Sequence, residues 1–76
     1  MAGNGIVLKP DPQTPFSALS ALHLLYQAGL PHDLFQVVIG DGPELGTAII
    51  NNANFVMFTG STATGKIVAE QAARRL

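Results

Sequence analysis

Three short apolar runs, each followed by proline or glycine and then by a helical pattern, constrain this chain more than any other feature. They are Ile6-Val7-Leu8, the segment 35–39 (Phe-Gln-Val-Val-Ile) and the segment 55–59 (Phe-Val-Met-Phe-Thr). The continuous run Ile6-Val7-Leu8 marks a strand buried on both faces, and Val37, Val38 and Ile39 give the second run its β-branched strand character. Thr14-Pro15 reads as the start of the first helix, with Thr14 as N-cap and Pro15 at the first helical position. That helix extends over 15–28 on a stripe of Ala18, Ala21, Leu22, Leu25 and Ala28, widened by Leu19 and Leu24, and Gly29 with Pro31 ends it. Gly40-Asp41-Gly42 turns the second run into a helix opened by Pro43, which buries Leu45, Ala48 and Ile49 and fails around Asn51-Asn52. Ser61 is the expected N-cap of a third helix reaching Arg75, with Ile67, Val68 and Ala72 inward. Strand–helix units in succession predict an α/β fold with a parallel sheet and right-handed crossovers.

Length limits what such a fold can do. Seventy-six residues make one small domain. With no cysteine there is neither a disulfide nor a thiol nucleophile. The chain is 47% hydrophobic and only 12% charged, so it reads as a piece to be covered by further protein. Net charge is −1, and the adjacent Arg74 and Arg75 suit the end of a helix rather than a nucleic-acid face. No run reaches the ~18–20 apolar residues of a membrane span, and the N-terminus lacks a signal-peptide pattern. The expected setting is cytoplasmic, with no membrane or nucleic-acid partner.

The segment 55–66, Phe-Val-Met-Phe-Thr-Gly-Ser-Thr-Ala-Thr-Gly-Lys, carries the chemistry. A strand leading through glycine into a helix presents free backbone N–H groups and a positive dipole end, which suits a phosphate. Gly60-x4-Gly65-Lys66 matches the NTPase phosphate loop, but Ile67 stands where a Mg²⁺-binding hydroxyl belongs and no strand ends in a metal-holding Asp. Gly40, Gly42 and Gly46 approximate the dinucleotide fingerprint with the third glycine one residue late, and no acid ends the following strand. On motif evidence this is a turn with glycines placed for backbone reasons. His23 and His32 stand apart with no second ligand cluster, so both read as structural or surface residues.

Taken together, the segments resemble the aldehyde dehydrogenase family. The matching residues are 3–10 (Gly-Asn-Gly-Ile-Val-Leu-Lys-Pro), Gln13-Thr14-Pro15, Ala28-Gly29-Leu30-Pro31, Gly40-x-Gly42-Pro43-x-x-Gly46 and Phe58-Thr59-Gly60-Ser61-Thr62-x-x-Gly65. Met57 through Thr62, with Ala69-Glu70-Gln71-Ala72 beyond, is most similar to the bacterial succinate-semialdehyde branch. The resemblance implies a partial coenzyme-binding region over 1–76, made of three β-α units of a Rossmann-type sheet and lacking the central strand. It implies NADP or NAD as cofactor, the remainder of an enzyme chain as partner and a homo-oligomeric parent.

By the family pattern, Lys9 bonds the adenosine ribose, with Asp11 and Pro12 beside it. Gly42, Pro43 and Gly46 allow a close approach of the adenine. Phe58, Thr59, Gly60, Ser61 and Thr64 surround the pyrophosphate. NAD-preferring members carry Glu three residues after the lysine; Pro12 stands there in this chain, which favours NADP, whereas Asp11 next to it would oppose a 2′-phosphate. The family's cysteine nucleophile, glutamate base and oxyanion-holding asparagine have no counterpart here, so the chain is expected to contribute coenzyme binding and no chemistry. Two other readings remain: a non-catalytic interaction module that needs a partner chain, and an NTPase-type binder whose ATP binding would depend on Lys66.

Overall fold

A computed structural model describes residues 3–76. Among the described residues the chain is α/β, with a two-stranded parallel sheet and three α-helices. It divides into two compact units, Met1–Gly42 and Pro43–Leu76.

The first unit contains β1 (Ile6–Leu8), α1 (Phe16–Gln27), a 3-10 turn (His32–Leu34) and β2 (Phe35–Val37). The strands are parallel, with Ile6 opposite Phe35 and Leu8 opposite Val37. The ladder runs one bond further, where the Val38 N–H donates to the Leu8 carbonyl at 2.9 Å. Val38 is half-buried but Ile39 is 52% exposed, so the strand ends before the apolar run does. All of β1 is exposed, against the expectation of burial on both faces. The reason is that β1 pairs with β2 alone, and within the described residues neither face of a two-stranded ribbon is fully covered.

Helix α1 begins differently from the sequence reading. Pro15 is its N-cap, in αR conformation, and no side chain caps the helix. Thr14 is held in the preceding turn instead, its N–H donating to the Asp11 carbonyl at 3.0 Å. Asp11 closes that turn with its side chain, Oδ1 accepting the Gln13 N–H at 2.9 Å. Pro15 brings no N–H that would need a cap acceptor. The far end matches expectation: Gly29, at φ +105, donates its N–H to the Tyr26 carbonyl, and Leu30 donates to Leu25, both at 3.0 Å. This paired pattern is a Schellman stop, which favours glycine at the left-handed position. The half-buried face of α1 is Ala18, Leu19, Leu22 and Tyr26, so the helix is turned away from the expected Ala21–Leu25 side.

Tyr26 ties α1 to the strand that follows. Its ring stacks on His32 with centroids 3.9 Å apart, and its hydroxyl donates to the Phe35 carbonyl. Tyr26→Phe removes that bond and leaves the carbonyl short of a partner. A loss of about 1 kcal/mol is expected, read as a lower urea midpoint with unchanged slope; an unchanged midpoint would discount the tie.

The second unit contains α2 (Gly42–Asn52, beginning at its boundary) and α3 (Thr62–Arg75). Ile50 is its buried residue, 3% exposed. Leu45, Gly46 and Ile49 are half-buried beside it on α2, while Ala48, expected inward, is exposed. On α3 the half-buried positions include Val68, Gln71 and Ala72, and Ile67 is 56% exposed, contrary to its expected inward placement. Arg75 does more than decorate a helix end: its Nε donates to the Asn51 carbonyl at 2.8 Å, satisfying an acceptor that the last turn of α2 leaves open.

The segment 55–59 forms no strand. Phe55 and Met57 are 79% and 84% exposed, with only Val56 half-buried. Apolar composition favours extended backbone, but a strand exists only where a neighbour completes the ladder. The described residues therefore show two strands where the sequence predicts three.

Candidate functional site

The N-terminus of α3 is built locally by Ser61. Its backbone is extended, at φ −69 and ψ 151, and its Oγ accepts the Thr64 N–H at 3.2 Å. The same hydroxyl donates to Thr64 Oγ1 at 3.0 Å, so Ser61 and Thr64 close a reciprocal cap. The Gly65 N–H reaches the Ser61 carbonyl at 2.9 Å, beginning the helical ladder. Helical geometry leaves Thr62 and Ala63 with N–H groups that have no carbonyl one turn back. These amides, at the positive end of the α3 dipole, are where an anion would be stabilised.

Gly60 leads into that cap at φ +156. A Cβ there would stand 2.7 Å from Phe58 Cζ, closer than real contacts permit. The structure thus brings Phe58, Gly60, Ser61 and Thr64 into one patch. Thr59 lies between Phe58 and Gly60 and is exposed. Lys66 is also exposed and lies beyond the cap, on the helix itself.

Gly42 and Pro43 form the first turn of α2, with Gly46 following. Neither Gly42 nor Gly46 has a positive φ, and a Cβ on either would meet nothing within 4 Å. Their lack of a side chain is therefore required neither by backbone conformation nor by packing among the described residues. Lys9, Asp11 and Pro12 belong to the first unit, in the loop after β1. Lys9 is half-buried and its Nζ donates to the Pro10 carbonyl at 3.1 Å; Pro12 is exposed. One oxygen of Asp11 is engaged by the Gln13 N–H, as described above. Gly65, which the sequence marks in an NTPase-type spacing and in the family motif, proves to be a neighbour of the Phe58 ring: a Cβ there would meet Cε1 at 3.4 Å. Glycine spacing alone could not show which side chain sits between the pair.

Other parts of the chain offer less. The groove on α1 lined by Phe16, Leu19, Ser20, His23 and Leu24 includes none of these residues. Among the described residues no three His, Cys, Asp or Glu side chains gather to hold a metal ion. No described helix is long and apolar enough to cross a membrane.

A lysine loop after β1, a glycine-opened α2 and a glycine-led α3 follow one another along the chain. The aldehyde dehydrogenase family matches residues 1–76, and the chain belongs to that family. It is 59% identical over its whole length to a Mycolicibacterium smegmatis protein provisionally named as an NADP(+) succinate-semialdehyde dehydrogenase. It is 57% identical, again over its whole length, to a Mycobacterium ulcerans protein provisionally named in the same way. An Acinetobacter baylyi protein named succinate semialdehyde dehydrogenase is 42% identical over 99% of the chain. The chain spans only 15% of the first two relatives and 16% of the third.

Proposed function

We propose that this chain supplies part of the coenzyme site of an NADP(+)-dependent aldehyde dehydrogenase, with succinate semialdehyde as the aldehyde of the whole enzyme. The observation that carries the reading is 59% identity across all 76 residues to a relative whose provisional name states both coenzyme and substrate. The parent region is read as a Rossmann-type sheet over 1–76, in which 55–59 becomes a third strand once a neighbouring strand completes its ladder. A cytoplasmic, homo-oligomeric enzyme accompanies this reading.

The residues present fit a dinucleotide. The Ser61–Thr64 cap, Gly60 and the free amides of the first turn of α3 would hold the pyrophosphate, with Thr59 beside them. Gly42, Pro43 and Gly46 would admit the adenine, where two glycines stand that the chain's own packing does not need. Lys9 would turn its ammonium from the Pro10 carbonyl toward the ribose, with Asp11 and Pro12 setting the preference at the 2′ position. When bound, such a coenzyme accepts a hydride from the aldehyde-derived intermediate. The chain's own residues bind and orient it.

Titration of the polypeptide with NADP(+) and NAD(+), followed by protection from proteolysis, tests the proposal: saturable binding with protection is expected. The exposure of Ile6, Val7, Phe55 and Met57 favours a second reading, a non-catalytic module seated on another chain. Absence of dinucleotide binding would leave that reading standing. Mg²⁺-dependent ATP binding abolished by Lys66→Ala would instead support the NTPase alternative. With no cysteine to attack an aldehyde, the polypeptide is expected to form no NADPH from succinate semialdehyde; measurable turnover would refute the coenzyme-only role.

Ser61→Ala should act on both folding and binding. It removes the cap acceptor for the Thr64 amide, at about 1 kcal/mol of helix stability. A lower thermal midpoint together with weaker NADP(+) binding is expected, while Ser61→Asp should restore the midpoint but not the binding. Equal recovery of both would mean that Ser61 acts on binding only through the cap.

A further inference from the structure

We infer that Phe58 is a positioning residue, whose ring, seated on Gly60 and Gly65, sets the backbone that presents the α3 amides to the coenzyme phosphates. The inference rests on the coenzyme-site reading above and assigns a task that the reading leaves open. The far end of the ring lies over Gly60, where a Cβ would approach Cζ at 2.7 Å, Cε1 at 3.3 Å and Cε2 at 3.4 Å. Its side lies over Gly65, where a Cβ would meet Cε1 at 3.4 Å and Cδ1 at 3.5 Å. One aromatic side chain thus bridges the turn before the helix and the helix's first turn.

The contact accounts for the glycine at position 60 without a nucleotide loop of the NTPase kind. It also places different demands on the two glycines. At Gly60 an added methyl must displace the ring and must also occupy φ +156, a conformation that side chains disfavour. At Gly65 the methyl arrives at ordinary contact distance. Phe58 is itself 40% exposed, so its ring is not locked in a deep core. Removing the ring frees the Gly60 peptide to rotate, and a glycine without a neighbour samples many conformations. The Ser61 amide then loses its fixed direction relative to the Thr62 and Ala63 amides, whereas the Ser61–Thr64 cap at the helix start persists.

The test is NADP(+) titration of the 76-residue chain carrying Phe58→Ala, Phe58→Tyr, Gly60→Ala, Gly65→Ala or the Phe58→Ala/Gly60→Ala pair, with helicity monitored by circular dichroism. Phe58→Ala should weaken binding about tenfold at unchanged helicity, as expected when a charge-assisted backbone contact is misaligned. Phe58→Tyr and Gly65→Ala should remain within about twofold of the parent, a small fraction of the tenfold step that 1.4 kcal/mol represents. Gly60→Ala should weaken binding strongly in the parent and less in the Phe58→Ala background, where the ring it strikes is gone and only the strain at φ +156 remains. Phe58→Leu, which retains apolar bulk, is read in the same way if Phe58→Ala loses helicity. Unchanged binding in folded Phe58→Ala (or in Phe58→Leu, where Phe58→Ala loses helicity), or an equal cost of Gly60→Ala in both backgrounds, overturns the inference while leaving the coenzyme reading intact. Failure of the parent chain to bind NADP(+) removes both.

Discussion

Ile50→Ala is expected to unfold the second unit, or to bring it to the edge of unfolding, at room temperature. Ile50 is 3% exposed and is the buried apolar residue among those described. Truncating a buried isoleucine costs about 2–5 kcal/mol, combining lost transfer free energy with the cavity left behind. A chain of this size has a net stability of about 3–5 kcal/mol at best, so the loss is comparable to the whole. Ile49→Ala provides the comparison: Ile49 neighbours Ile50 but is only half-buried, and a smaller loss is expected. Circular dichroism with urea titration distinguishes them, with the Ile50 variant showing a collapsed or absent transition. Equal effects of the two substitutions would show that burial is not concentrated at Ile50.

Pro12→Glu is expected to move coenzyme preference from NADP(+) toward NAD(+). A carboxylate at this position would face the ribose in the proposed site, accepting from its hydroxyls and repelling a 2′-phosphate. Two unit charges about 4 Å apart near a protein surface interact by about 4 kcal/mol before salt screening. A fall of about 10–100-fold in NADP(+) affinity is consistent with that figure after screening. The substitution also releases the proline's restriction on the turn, at about 0.4–1 kcal/mol of folding stability. Asp11→Asn is the complementary variant. Asp11 already gives one oxygen to the Gln13 N–H, so neutralising it should strengthen NADP(+) binding only modestly. Side-by-side titration of both coenzymes decides the matter. An unchanged NADP(+):NAD(+) ratio in Pro12→Glu would remove this position from the specificity argument.

The elements that proved legible are those whose signals are local. Gly29 stops α1 because a left-handed residue completes the paired bonds to Leu25 and Tyr26, and Pro31 cannot continue the helix. Ser61 caps α3 because its short side chain reaches the amide three residues on. The bounds of α2 followed from Pro43 and the Asn51-Asn52 pair. Misreadings occurred where a residue had a choice of partner. Thr14 could cap a helix or complete the Asp11 turn, and Asp11 closed the turn first. Ile67 and Ala48 lie on apolar stripes whose rotation depends on what the helix packs against.

The strands show the same division at larger scale. Composition identified Ile6–Leu8 and 35–39 as strand-formers and the strand–helix order predicted a parallel sheet, but which strand lies beside which is a long-range outcome that no local pattern specifies. The segment 55–59 has the same apolar character and remains unpaired, because a ladder needs a second backbone alongside.

What the sequence alone determined is the order of strand-forming runs, caps and glycines, together with membership of a family that sets them in that order. Each depends on backbone conformation or on hydrogen bonds spanning a few residues. The tertiary structure decided which apolar residues are covered, which carbonyl Arg75 satisfies, and that the Phe58 ring lies between Gly60 and Gly65. These depend on where side chains meet after the chain has turned. In this segment the two kinds of information converge at Ser61, where a local cap and a seated ring together shape the N-terminus of α3.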